Sequence, residues 1–235
     1  MSGSHLESLQ KSYDAIRQEI RERALKANRK PEDILLVGVT KTVDVPVMQA
    51  AYDLGITHFA ENRVQEYLRK ADILNRDCCW HFIGRLQTNK VKYLDQRIKL
   101  IHSLDRLELA QALDNRGKAI NYRFPVLVQV NVAGESTKAG ISPEALKNFL
   151  ITLSKMGNIH VKGLMTIAPY TEDPEDVRYV FRELRKLSVD IMRERVENIN
   201  MDELSMGMSN DYAIAVEEGA TIVRIGSSLF GERVY

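Results

Sequence analysis

An alternation governs what this chain can fold into. Short runs rich in apolar and β-branched residues occur at 34–40, 57–61, 80–84, 99–104, 124–132, 160–167, 202–208 and 221–226. Between them lie stretches of helical character, at 44–55, 62–74, 87–96, 105–117, 142–155, 174–195 and 210–218. Strands that alternate with helices demand a parallel sheet, because each return needs a crossover connection. Eight such units in about 200 residues match a (β/α)8 barrel. The expected class is therefore α/β, a (β/α)8 TIM barrel. The segment 6–28 places Leu6, Leu9, Tyr13, Ile16, Ile20 and Leu25 at helical spacing ahead of the first strand. It predicts an extra N-terminal helix, covering the gap left by a missing eighth one. An open doubly wound sheet is the alternative, but no GxGxxG follows the first strand.

Local signals agree with this division. In "SPEALKNFLITLSKMG", Ser142 is an N-cap, Pro143 takes the first helical position, and Gly157 follows the end. No Pro/Gly/Ser-rich linker interrupts the chain, so residues 1–235 are expected to form a single domain. Lys plus Arg is 33 against 32 Asp plus Glu. That balance argues against a general nucleic-acid binder. No apolar run is long enough for a membrane span, and "MSGSHLESLQ" lacks the apolar core of a signal peptide. The two cysteines, Cys78 and Cys79, are adjacent, which supplies neither a disulfide framework nor a CxxC metal spacing. A reduced, cytoplasmic chain is expected.

Chemistry in such barrels gathers at the C-terminal ends of the strands. The first strand, "ILLVGVT", is followed directly by Lys41. Burial would disfavour its ammonium and free the amine as a nucleophile toward aldehydes. The last two strands end in "SMGMSND" and "RIGSSLFG", Gly-Ser loops whose backbone amides and hydroxyls suit an anion. Barrel phosphate sites commonly follow strands seven and eight. An aldehyde carried on a flat ring with a phosphate, such as pyridoxal 5'-phosphate (PLP), would bridge the two features. Arg224, inside the apolar run "IVRIG", needs a partner or a ligand. Opposite a pyridine nitrogen it would donate to the unprotonated ring, making a weaker electron sink than a carboxylate partner would. Each residue also has a plainer reading: Lys41 reaching out to water, and Arg224 paired with a nearby Glu.

Several blocks carry a resemblance. "LLVGVTK", "HFAENRVQE", "WHFIGRLQTNK", "VLVQVNVAGESTKAGI", "GLMTI" and "LSMGMSNDYAIAVEEGATIVRIGSSLFG" occur in order from about residue 5 onward. Together they resemble the YggS/PROSC family of PLP homeostasis proteins. The resemblance implies a fold-type III PLP barrel, similar to the N-terminal domain of alanine racemase. It puts Lys41 at the position of the lysine that holds PLP as an aldimine, and Asn62 beside the ring and its phenolic oxygen. Arg224 falls at the residue facing the pyridine nitrogen. Ser209, Gly226 and Ser227 fall at phosphate-binding positions, with Ser205 close enough to contribute, and Met165 at a pocket-lining position. Ala60 stands where many relatives have Gly, and Ser227 where some have Thr, keeping the hydroxyl. His81 has no assigned role; a packed core histidine is an equal reading. Lys138, on the mouth side, is either a second cation for the site or a solvated loop residue.

Function divides into three readings. The favoured one is a carrier that holds PLP reversibly and supplies it to apo PLP-dependent enzymes. The alternative is a PLP-dependent amino-acid racemase or a related low-activity PLP enzyme. Two-base racemisation needs a second proton-transfer group on the opposite ring face. The related racemases take a tyrosine from a second domain, and this chain reaches its last residue, Tyr235, soon after the phosphate loop. A lysine-dependent phosphate-sugar aldolase is the third reading, but Glu61 is its sole carboxylate candidate at a strand end. A monomer without metal is expected.

Overall fold

The computed structural model describes residues 3–74, 77–135 and 138–231. Its strands are β1 (Leu35–Val39), β2 (His58–Glu61), β3 (Cys79–Phe82), β4 (Ile98–Leu104), β5 (Phe124–Gln129), β6 (Ile159–Met165), β7 (Ile199–Ser205) and β8 (Ile222–Ile225). They form a closed parallel barrel in sequence order. Closure comes from β8 returning to β1, with Val37 opposite Arg224 and Gly38 opposite Ile225. The expected TIM barrel is therefore present, and each apolar run contributes one stave.

The helices are α1 (Gly3–Lys26), α2 (Val45–Asp53), α3 (Val64–Leu74), α4 (Leu107–Ile120), α5 (Pro143–Leu153), α6 (Arg178–Glu194), α7 (Tyr212–Glu217) and α8 (Ser227–Phe230). Ser142 caps α5 as its sequence position predicts, its hydroxyl accepting from the Ala145 amide at 3.4 Å. Two details differ from expectation. Residues 87–96 hold a 3-10 helix, Thr88–Tyr93, in place of an α-helix. Its sequence TNKVKY buries only Val91 and has no apolar face with which to dock a longer helix. The eighth helix is not missing either: α8 is a single four-residue turn.

Helix α1 packs on α7 and α8, at the barrel wall that the short α8 leaves thin. Its stripe of Leu9, Ile16, Ile20 and Ala24 is buried. Full burial of a Leu or Ile side chain stabilises by roughly 1.5–3 kcal/mol. Glu217 pins the arrangement, accepting from Arg23 and Lys26 of α1 at 2.8 Å each and from Arg178 of α6 at 2.8 Å. Burial pushes the Glu217 carboxyl up, but the three cations outweigh it and hold the group at about 2.

Strand alternation sorts the core into two shells. Residues such as Leu36, Phe59, Trp80 and Phe82 point outward into a layer shared with the helices. Val37, Val39, Ala60, Leu100, Leu127, Met165 and Ile222 form a separate apolar layer inside the barrel. The same inward parity also carries polar side chains: His58 on β2, His81 on β3, His102 on β4, Ser205 on β7 and Arg224 on β8. Among the described residues, no helix is long and apolar enough to cross a membrane.

Candidate functional site

The mouth of the barrel, at the C-terminal strand ends, holds a cavity of about 400 Å³. Lys41, Asn62, Asn131, Lys138, Met208 and Arg224 are among its lining residues. Lys41 sits two positions beyond the end of β1, half-buried, between buried Thr40 and Thr42, whose φ is +69°. Gln129 and Met208 are lining residues that motif reading did not single out.

Beneath Lys41 lies a buried charge network. The Thr40 hydroxyl donates to Glu61 Oε1 at 2.7 Å, and Lys70 Nζ donates to the same oxygen at 2.8 Å. Lys70 also donates to the Thr40 carbonyl at 2.7 Å. Both members of the Lys70–Glu61 pair are fully buried. Glu61 therefore fixes the end of β1 and its lysine-bearing turn. Lys70 gives no sequence signal beyond its place four residues after Glu66 on α3.

Arg224 is 3% exposed, and its partners are not carboxylates. Nη1 donates to Ser205 Oγ at 2.6 Å and Nη2 to the Thr166 carbonyl at 2.9 Å. Its Nε–H has no protein acceptor among the described residues, and the side chain borders the cavity. Burial lowers the guanidinium to about 10, opposed by the Asp211 carboxylate. The pairing with a Glu left open by the sequence is thus absent here. A buried cation with a spare donor at the edge of a cavity suits a ligand acceptor such as a pyridine nitrogen.

The loops after β7 and β8 meet at Ser209. The amides of Gly226 and Ser228 both donate to Ser209 Oγ at 3.3 Å. Ser228 Oγ donates to the Ser209 carbonyl at 3.3 Å. Gly226, Ser227 and Lys41 border one small cleft that separates this loop from the end of β1. Converging amides and hydroxyls at a strand end suit a phosphate. Gly207, with φ of +90°, turns the chain toward Ser209; a Cβ there would lie 2.6 Å from Ala215 Cβ. Gly84 performs a comparable service for Asn62, since its Cβ would lie 2.2 Å from the Asn62 carbonyl oxygen.

Six of the eight residues singled out in the sequence, Lys41, Asn62, Ser209, Arg224, Gly226 and Ser227, gather around the cavity and its adjoining cleft. Ser205 lies beneath, fully buried, as the acceptor for Arg224. Met165 packs in the apolar layer inside the barrel, while Ile167 and Met208 line the cavity. Lys138 lines the mouth and pairs with Glu135 at 2.7 Å. His81 is not an isolated core histidine: it hydrogen-bonds His58 and His102 at 2.9 Å each. A more open cavity of about 700 Å³ adjoins the mouth and shares Asn62 and Arg85 with it. It lacks the pairing of a lysine with a buried arginine that marks the mouth.

Comparison with known proteins follows the same lines. The model of the family described as "Alanine racemase, N-terminal domain" matches residues 12–234. A pyridoxal phosphate homeostasis protein of Aquifex aeolicus is 49% identical over 219 residues, covering 93% of this chain and 95% of its own. One of Pseudomonas aeruginosa is 39% identical, covering 92% of each chain. Among solved structures, PipY of Synechococcus elongatus with PLP bound is 33% identical with a TM-score of 0.79, covering 90% of this chain and all of its own. An alanine racemase of Clostridium difficile, 20% identical with a TM-score of 0.73, shares the fold; this chain spans 57% of it.

Proposed function

The chain belongs to the alanine racemase N-terminal-domain family, and from that premise and the geometry of the barrel mouth we propose that it is a PLP homeostasis protein. In this reading it holds PLP at the C-terminal end of the barrel and supplies it to apo PLP-dependent enzymes. One observation carries the reading: Lys41 and the buried Arg224, which hydrogen-bonds no carboxylate, border a single cavity. Bound there, PLP supplies an aldehyde that condenses reversibly with a primary amine, with loss of water.

The chain's own residues take distinct parts. Lys41 Nζ is the amine we assign to that bond. Arg224 would donate to the ring nitrogen and leave it unprotonated, since guanidinium does not release its proton at neutral pH. Asn62, which lines the cavity, would lie at the ring's edge. Ser209, Gly226 and Ser227 would hold the phosphate. Ser205 acts through Arg224, and Met165 supports the floor from the layer below.

A carrier is favoured over a racemase by the cavity's titratable lining. Among the described residues that lining is cationic, comprising Lys41, Arg85, Lys138 and Arg224, with no imidazole, phenol or carboxylate. Lys138 is engaged by Glu135. Tyr235 lies outside the described residues. A cytoplasmic location, a monomer and a single functional domain complete the proposal; the two free cysteines fit the first of these.

The test is direct. Borohydride reduction of the PLP-loaded protein should fix a phosphopyridoxyl group on Lys41, seen by peptide mass spectrometry, and Lys41→Ala should lose it. Label elsewhere, unchanged in Lys41→Ala, sinks the site assignment. The loaded protein should also activate an apo PLP enzyme. Racemisation of a common amino acid on the order of 1 per second or faster would place it among enzymes instead.

A further inference from the structure

Four consecutive hydrogen bonds run through the barrel interior. Arg224 Nη1 donates to Ser205 Oγ at 2.6 Å, and Ser205 Oγ lies 2.8 Å from His102 Nδ1. His102 Nε2 lies 2.9 Å from His81 Nδ1, and His81 Nε2 lies 2.9 Å from His58 Nδ1. The column crosses from β8 and β7 to β4, β3 and β2. It begins under the cavity at the mouth and ends in a second cavity of about 340 Å³ at the opposite end, lined by His58, Arg17, Asp33 and Glu203.

The direction of these bonds follows from donor counts. Burial holds His81 at about 3, with His58 adding to the effect, and holds His102 well below its ordinary value. Both rings are neutral near pH 7, so each has one donor nitrogen and one acceptor. Arg224 can only donate, so Ser205 Oγ accepts from it. The serine has one hydrogen, and His102 Nδ1 is the other partner of its oxygen. That hydrogen therefore goes to His102 Nδ1. His102 Nε2–H must then donate to His81 Nδ1, and His81 Nε2–H to His58 Nδ1. His58 is left presenting Nε2–H to the far cavity. The opposite polarity would leave the serine hydrogen buried without an acceptor.

We propose that His58, His81 and His102 are positioning residues for the cofactor site, forming one directional hydrogen-bond relay that fixes the Ser205 hydroxyl and thereby the guanidinium of Arg224. Such a relay lets the contents of the far cavity act on the mouth. An acceptor bound at His58 Nε2 reinforces the polarity; a donor bound there opposes it. The link to a ring nitrogen rests on the PLP reading, whereas the relay is a property of this chain alone.

The apo protein tests the relay. Side-chain 15N spectra of histidine-labelled protein should show His58, His81 and His102 as Nε2–H tautomers. Through-bond 15N–15N couplings should appear across both N–H···N contacts. An Nδ1–H tautomer at His81 or His102, or missing couplings, overturns the proposal. Two variants test the coupling to the mouth. His58→Leu touches no residue of the mouth, and it should move the His102 15N signals and weaken PLP binding severalfold. His81→Leu should weaken it about tenfold, the scale of one buried hydrogen bond. Unchanged His102 signals and PLP affinity in His58→Leu would show that the histidines merely pack, whether or not His81→Leu folds. If the wild type binds no PLP, the cofactor reading fails, and the relay stands or falls on tautomers and couplings.

Discussion

The Lys70 ammonium donates to the Thr40 carbonyl at 2.7 Å, one residue before Lys41. A helix on the outside of the barrel thereby sets where the first strand releases its terminal lysine. Glu61 neutralises that ammonium inside the wall. Removing one partner of a buried pair leaves the other charge stranded, at about 3–5 kcal/mol. Glu61→Gln should therefore lower the unfolding free energy by about that amount in urea titrations, with the more distant Glu66, 3.5 Å from Lys70, softening the loss. The double variant Glu61→Leu with Lys70→Met should recover much of the stability. PLP titration should still show weaker binding, because nothing then holds the Thr40 carbonyl.

Gly207 governs the phosphate loop. Its φ of +90° and the 2.9 Å approach of a Cβ to Tyr212 Cα leave no room for alanine. Gly207→Ala should destabilise by about 1–3 kcal/mol through strain. It should also displace Ser209, so inorganic phosphate should protect the variant less than the wild type in thermal melts.

Arg224→Lys keeps the charge and loses the fork. One ammonium cannot reproduce the bonds to Ser205 and Thr166 together with a third toward the cavity. A loss of about 1–3 kcal/mol in stability is expected by urea titration. The absorption spectrum of bound PLP should shift as well, because the ring nitrogen faces a different donor.

Stability should fall on mild acidification. Burial depresses His58, His81 and His102 in the folded chain, so the unfolded chain binds more protons below its own histidine value of about 6.5. The contribution is fully present above that pH and fades as pH falls toward the folded value, about 3 for His81. Each such histidine adds up to about 1.4 kcal/mol per pH unit. Urea titrations at pH 7 and pH 5 should differ accordingly, and His102→Leu should flatten the slope. Glu217, at about 2, acts in the same direction only at lower pH.

The barrel was legible because eight apolar runs alternate with helical spacing, and Lys41, Arg224 and the Ser209 loop stand out as polar groups at strand ends. Pairings across strands were not legible. Nothing local to Arg224 says that Ser205 and the Thr166 carbonyl take the place of a Glu, since both lie on other staves. Lys70 reads as an ordinary helix lysine until α3 is docked on β2. The histidines did leave a trace: they sit 23 and 21 residues apart on three successive strands with the same inward parity. Pattern reading finds each as a buried residue and cannot see that closure stacks them. The third crossover failed because 87–96 has helical length without an apolar face.

The register of β1 against β8 has a consequence for synthesis. Lys41 is made with the first strand, whereas Arg224 and Gly226 are made only with the eighth, which pairs with it. A chain translated only as far as β7 contains one wall of the cavity and lacks the other. A nascent chain therefore offers a reactive aldehyde an exposed lysine but no enclosure, and selective capture begins only when the ring of strands shuts. Circular permutants opened between β4 and β5 would bring the β8 and β1 segments together in mid-chain. They would allow the mouth to assemble while one flank of the barrel was still being made.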